Sequence, residues 1–139
     1  RDGDDITIVA WSRAVHWALA AGEEAAREGI SCHVVDLRTL MPLDEATLFA
    51  AVEKTGRLIV CHEACQTGGF GAEIVARVVD KAFHALDAPP LRVCGPDTPV
   101  PNSLPLEAVY LNTESRLMDA GRNLAVVRHP KSKKTRTSS

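Results

Sequence analysis

The chain has 139 residues, 45% hydrophobic and 24% charged, with a formal net charge of −2. That length suits one domain with a real core and is too short for two comfortable ones. The charge balance gives no reason to expect nucleic acid or an anionic membrane as a partner, and the apolar-leaning stretch at 14–21 stops at Glu23 and Glu24, far short of a membrane span.

In chain order, the opening RDGDD holds no signal peptide and reads as a domain boundary. Ile6-Thr7-Ile8-Val9-Ala10 reads as a strand that hands over at Trp11-Ser12-Arg13. A helix follows, with Val15, Ala18, Leu19, Gly22, Ala25 and Ala26 on one face, and Gly29 stands where a left-handed cap would end it. Cys32 to Leu37 is the next strand. Asp44 is an N-cap for a second helix, Leu43 is placed to staple onto Leu48, and Gly56 is the stop. Leu58-Ile59-Val60-Cys61 is an unbroken apolar run, as expected of a strand covered on both faces. A polar loop with Gly68, Gly69 and Gly71 then leads into a helix expected from Gly71 to Leu86. Its apolar face is Val75, Val78, Val79, Ala82 and Leu86.

Leu91 to Cys94 is a short strand. Six of the eight prolines lie between Pro89 and Pro105, so GPDTPVPNSLP reads as a stiff, non-helical connector. Asn112 or Thr113 caps a last helix through about Gly121. Residues 1–125 form the domain, and 126–139, ending HPKSKKTRTSS, read as a basic flexible tail. Strands alternating with helices give an α/β fold, three-layer α/β/α, with a mainly parallel four-stranded sheet.

Candidate chemistry concentrates in Cys61-His62-Glu63-Ala64-Cys65. A zinc site needs about four converging ligands, and His62-Glu63 lacks the second histidine of a zinc protease motif. Cys65 as a nucleophile needs a base, for which His62 is near in sequence but has no orienting partner. Glu63 is either a general base or a simple acceptor for its own loop. GGFG lacks the lysine of a phosphate loop and does not fit the dinucleotide fingerprint. His16, His33 and His84 read as surface or packed histidines. Of the four cysteines, Cys32, Cys61 and Cys94 fall in strands as small buried hydrophobes. No secreted disulfide framework is visible, which points to a reducing compartment. These residues supply no complete reaction centre, so catalytic, cofactor-binding and metal-binding residues are expected to be absent.

Three segments in the same order do resemble a known family: ITIVAWSRAVHWALAAGEEAAREGISCHVVDLRTLMPLD, VEKTGRLIVCHEACQTGGFGAEIVARV and LRVCGPDTPVP. They are similar to the carboxy-terminal, transketolase-type domain in the beta subunit of the thiamine-diphosphate-dependent first component of 2-oxo acid dehydrogenase complexes. The likeness runs from about Asp5 to Asp119. HEA and RVCG are closer to the branched-chain (2-oxoisovalerate) type, with pyruvate the other candidate.

The resemblance implies that thiamine diphosphate and magnesium belong to other parts of the parent enzyme and that this domain binds no cofactor. It implies roles in subunit association and in docking the acyltransferase core. The partners would be the alpha subunit and second beta subunit of a heterotetramer, and the small peripheral binding domain of the acyltransferase. The compartment would be the bacterial cytoplasm or the mitochondrial matrix. The family sheet carries an antiparallel edge strand before Ile6, expected to be missing here, which would leave an edge open to self-association. First and third strands would be neighbours, bringing Trp11, Ser12 and Arg13 to one crevice with His62, Glu63, Gly68 and Gly69. Candidate partner contacts are Glu73, Arg77, Asp80 and Lys81 on the helix and Asp97 and Thr98 in the proline turn. The alternative reading is a stand-alone α/β enzyme, or an anion- or ligand-binding module, using the His62–Gly71 crevice.

Overall fold

The structure, a computed structural model, describes residues 1–110 and 113–126. Its sheet has four parallel strands in the order β2-β1-β3-β4: β1 Ile6–Ala10, β2 Cys32–Asp36, β3 Leu58–Cys65 and β4 Leu91–Gly95. As expected, the first and third strands are adjacent, with Ile8 opposite Ile59 and Val9 opposite Val60.

Helices α1 (Ala14–Arg27) and α5 (Thr113–Val126) cover one sheet face, and α2 (Glu45–Thr55) and α3 (Phe70–Ala82) the other. A short helix, α4 (Leu104–Tyr110), stands beyond the carboxyl end of β4. Strand alternation sends Ile6, Ile8, Val34, Ile59 and Cys61 to the α1/α5 side, and Val9, Leu58 and Val60 to the α2/α3 side. No helix among the described residues is long and apolar enough to cross a membrane.

The local signals explain most boundaries. Asp44 caps α2 by accepting from the Thr47 N–H at 3.0 Å, and Gly56 ends it in the left-handed region at φ 69°. Thr7, fully buried on β1, donates to the Ala51 carbonyl at 2.9 Å and meets the Thr55 hydroxyl at 2.8 Å, tying sheet to helix. Along α1, Ala14, Ala18, Ala21, Gly22 and Ala25 form a stripe of small buried residues that lets α5 and the sheet approach closely, while Ala26 is exposed.

Five expectations need correction. β3 continues to Cys65, because the polar residues after Cys61 stay on the strand through an irregular register. α3 starts at Phe70 and ends at Ala82, with a separate 3-10 turn over Phe83–Ala85, so Leu86 lies beyond it. Its buried face is Gly71, Ile74, Val78 and Ala82 at helical spacing, whereas Val79 is 41% exposed. The proline connector ends sooner than read, because α4 begins at Leu104 with Pro105 in its first turn, where a missing N–H costs nothing. α5 runs on past Gly121 to Val126. Asn112 and residues 127–139, most of the expected tail, lie outside the described residues.

The edge of β2 is partly covered. Arg1 and Val34 exchange backbone hydrogen bonds in both directions, at 3.3 and 2.9 Å, as directly opposed residues do in an antiparallel pair. The first residues thus lie along β2, although no strand is formed there.

Candidate functional site

At the switch point of an open parallel sheet the loops leaving two neighbouring strands part to opposite faces and leave a crevice, the usual ligand site. Here those loops follow β1 and β3, and the chain's own side chains fill the gap between them. Trp11, at the end of β1, stacks on His62 with ring centroids 5.0 Å apart and planes 23° from parallel, and its edge meets Phe70 at 6.1 Å.

His62 is 1% exposed. Its Nε2 accepts from the Gly71 N–H at 3.2 Å and lies 3.2 Å from Cys94 Sγ on β4. Accepting at Nε2 places the single proton of the neutral ring on Nδ1, which is buried without a well-aligned partner. Burial pushes the imidazole below its ordinary range; the Ala64 carbonyl pulls the other way, and the Arg92 guanidinium adds to the depression.

The glycine cluster acquires its meaning from this ring. A methyl group on Gly71 would sit 2.5 Å from His62 Nε2 and 2.7 Å from Cδ2, and one on Gly69 would sit 2.6 Å from Cε1. Only residues without a Cβ let the start of α3 close over the imidazole. Helix propensity alone would favour Gly71→Ala by up to ~1 kcal/mol; overpacking against the trapped ring is expected to reverse the sign, to a net loss of about 1–2 kcal/mol. Urea unfolding checks this, and a stabilised variant would show that the ring yields freely.

The other expected crevice residues diverge. Ser12 has φ 55°, a strained value for a non-glycine residue, and is exposed. Arg13 turns away from His62 to lie over the Trp17 ring at 5.6 Å, 3.8 Å from Glu107 of α4. Gly68 takes φ 72° in the turn with open space around it, and Glu63 is half-buried beside His62 on β3. Outside Trp11 a cavity of about 460 Å³ opens between Ser12, His16, Asp36 and Arg38.

Burial pushes the Cys61 thiol up to about 12 and raises Cys94 as well. Cys65 is exposed at the end of β3. Among the described residues, no three of His, Cys, Asp and Glu converge on a point that would hold a metal ion. His33 has its Nδ1 3.0 Å from Asp2 Oδ1.

The charges expected to face a partner are largely occupied at home. Arg77 bonds Glu73 and Glu45, each at 2.8 Å, and Lys81 bonds Glu45 at 2.7 Å, joining α3 to α2. Asp80 is exposed. Asp97 accepts from the Thr67 N–H at 2.9 Å and its hydroxyl at 2.6 Å, which holds its carboxyl below the usual range and pins the proline turn to the loop after β3. Thr98 is exposed beside it.

A feature invisible in the strand and helix patterns is a group of exposed apolar side chains on and just before α4. Val100, Leu104, Leu106 and Val109 are 60–82% exposed, while Tyr110 alone in that helix is buried. Ser103 directly before Leu104, with Pro105 in the first turn, was the available signal for a helix there.

Residues 1–117 match the family model of the transketolase C-terminal domain. The chain belongs to that family. This transketolase C-terminal domain is 47% identical over 123 residues to the mitochondrial 2-oxoisovalerate dehydrogenase subunit beta 2 of Arabidopsis thaliana, covering 88% of this chain and 34% of that one. It is 50% identical over 119 residues to the pyruvate dehydrogenase E1 component subunit beta of Leifsonia xyli, covering 86% and 35%. It is also 45% identical over 122 residues to the acetoin:2,6-dichlorophenolindophenol oxidoreductase subunit beta of Cupriavidus necator, covering 88% and 36%. Among solved structures it is similar to a split-gene transketolase, an inactive beta4 tetramer, with a TM-score of 0.79 and 26% identity over 93% of this chain and 42% of that one. The domain spans about a third of the length of these curated relatives. The likeness read from the three motifs is thereby borne out.

At the start of α3 the residues present leave no open seat for the diphosphate of thiamine diphosphate, which the resemblance attaches to the parent enzyme. The helix start that would receive a phosphate already gives its Gly71 N–H to His62, and methyl-sized space beside it is filled by the ring.

Proposed function

We propose that this domain is an association module in the beta subunit of an enzyme of the 2-oxo acid dehydrogenase type. The parent enzyme decarboxylates a 2-oxo acid oxidatively and passes the acyl group to lipoamide, using thiamine diphosphate and magnesium held outside this domain. The observation that carries this reading is the group of exposed apolar side chains on and just before α4, near a crevice filled from within. Soluble monomers seldom leave several large apolar side chains exposed together within about ten residues.

The comparisons support the division of labour. Relatives named for 2-oxoisovalerate, pyruvate and acetoin share this domain at 45–50% identity. A domain so alike across three substrates is poorly suited to choose between them.

Its partners are the alpha subunit and a second beta subunit, and it docks the peripheral binding domain of the acyltransferase through exposed positions such as Asp80 and Thr98. The compartment is the mitochondrial matrix or the bacterial cytoplasm. Calorimetric titration tests both halves of the proposal. The peripheral binding domain should give a saturable complex, whereas thiamine diphosphate with Mg²⁺ should give no binding heat. Saturable cofactor binding, or no complex at any attainable concentration of the peripheral domain, would overturn the corresponding half.

A further inference from the structure

The seat of α4 leads back to one buried imidazole. Tyr110, the buried residue of α4, packs at Gly95, where an added methyl would lie 2.8 Å from its hydroxyl and 2.5 Å from the Glu63 carbonyl oxygen. Gly95 follows Cys94, whose Sγ contacts His62 Nε2 and whose carbonyl accepts from Arg116 of α5 at 2.6 Å. We propose that His62 is an acid-sensitive joint: its neutral ring holds Cys94 and the first turn of α3 together, and a proton added at Nε2 unseats both and, with them, α4. This rests on α4 being the association surface, as proposed above.

The geometry admits only the neutral ring. Nε2 faces two donors, the Gly71 N–H and the Cys94 thiol, which burial keeps protonated. A second ring proton would set N–H against N–H in a space that Gly69 and Gly71 leave no wider than the imidazole. The groups around the ring mostly oppose a positive charge. β4 brings Arg92 as well as Cys94. α3 brings the positive end of its dipole, and Arg116 of α5 lies one residue's carbonyl away. From β3 the Ala64 carbonyl favours protonation; Glu63 adjoins on the same strand, and α4 reaches this corner through Tyr110 at Gly95. Trp11, from the end of β1, would attract an imidazolium through its π-face, but desolvation is the larger effect.

The sign follows. The unfolded chain takes up this proton near pH 6.5, and the folded chain only lower, so stability falls as pH drops below about 6.5 and the loss stops growing once the folded ring itself titrates.

The test follows the ring by NMR in the full chain while sedimentation reports its assembly, from pH 8 to pH 5. The ring should carry its proton on Nδ1 and titrate below 6.5, with the Tyr110 signals moving in the same transition. Any association present at pH 8 should be lost over that range. His62→Gln, whose amide oxygen accepts at the Nε2 position without titrating, should assemble equally at both ends of the range. An Nε2–H tautomer, titration at or above 6.5, or Tyr110 signals indifferent to the transition would overturn the joint, and these readouts stand whether or not His62→Gln folds. A chain that is monomeric at every pH would count against the association surface alone. One that stays assembled through the ring's titration would count against the joint alone.

Discussion

Gly95→Ala should be among the most damaging single-methyl changes in the molecule, with an expected loss of about 3 kcal/mol. The added carbon would lie 2.5 Å from the Glu63 carbonyl oxygen and 3.2 Å from that of Ala64, both backbone atoms of the neighbouring strand. A side chain could rotate away, but these oxygens belong to the irregular stretch of β3 between Cys61 and Cys65, whose backbone lies against Gly95. Relief therefore requires moving a strand or expelling Tyr110, whose hydroxyl is the other near neighbour at 2.8 Å. Thermal or urea unfolding measures the loss. The far-UV spectrum of the surviving folded fraction should show the sheet intact, because the clash is local to the β3–β4–α4 corner. A loss below about 1 kcal/mol would mean that the strands part easily and that α4 is not seated as described.

The second large effect concerns binding rather than folding. Leu104→Asp with Val109→Asp should leave stability almost unchanged, since these side chains are 82% and 76% exposed in the single chain. It should weaken association by on the order of 100-fold, which corresponds to about 2.8 kcal/mol. Two carboxylates placed at the two ends of α4 would have to be desolvated unpaired in an apolar contact, a costly change.

How much of this was legible in the residues themselves depends on the reach of each signal. Local signals read well: the Asp44 cap, the Gly56 stop and the apolar run Leu58–Cys61 appear where expected because each is decided within a few residues. The neighbouring of β1 and β3 was expected only through the resemblance to the family, since alternating strands and helices with right-handed crossovers still leave several strand orders open.

The reading failed where a residue's role is set by something distant in sequence. His62 looked like half of a motif, yet its partners are Gly71, Cys94 and Trp11, drawn from α3, β4 and the end of β1. The glycines of GGFG fit neither a phosphate loop nor a dinucleotide fingerprint in sequence, and only the fold shows that they make room for that histidine. Ile74 was passed over because the apolar face of α3 was counted from Gly71 to Leu86, whereas the helix starts at Phe70 and ends at Ala82. The charged face of α3 read as free for a partner because Glu45, which neutralises Arg77 and Lys81, comes from another helix. The density of prolines hid α4, since a proline in a first turn looks in sequence like one that forbids a helix.

The claim on which the functional account turns is that this domain joins subunits through α4. Sedimentation velocity at pH 8, comparing the natural chain with Leu104→Asp/Val109→Asp over a hundredfold range of concentration, tests it most directly. The account predicts that the natural chain sediments as a concentration-dependent assembly larger than one chain, while the variant runs as a folded monomer. Identical monomeric boundaries for both at the highest concentration would contradict it.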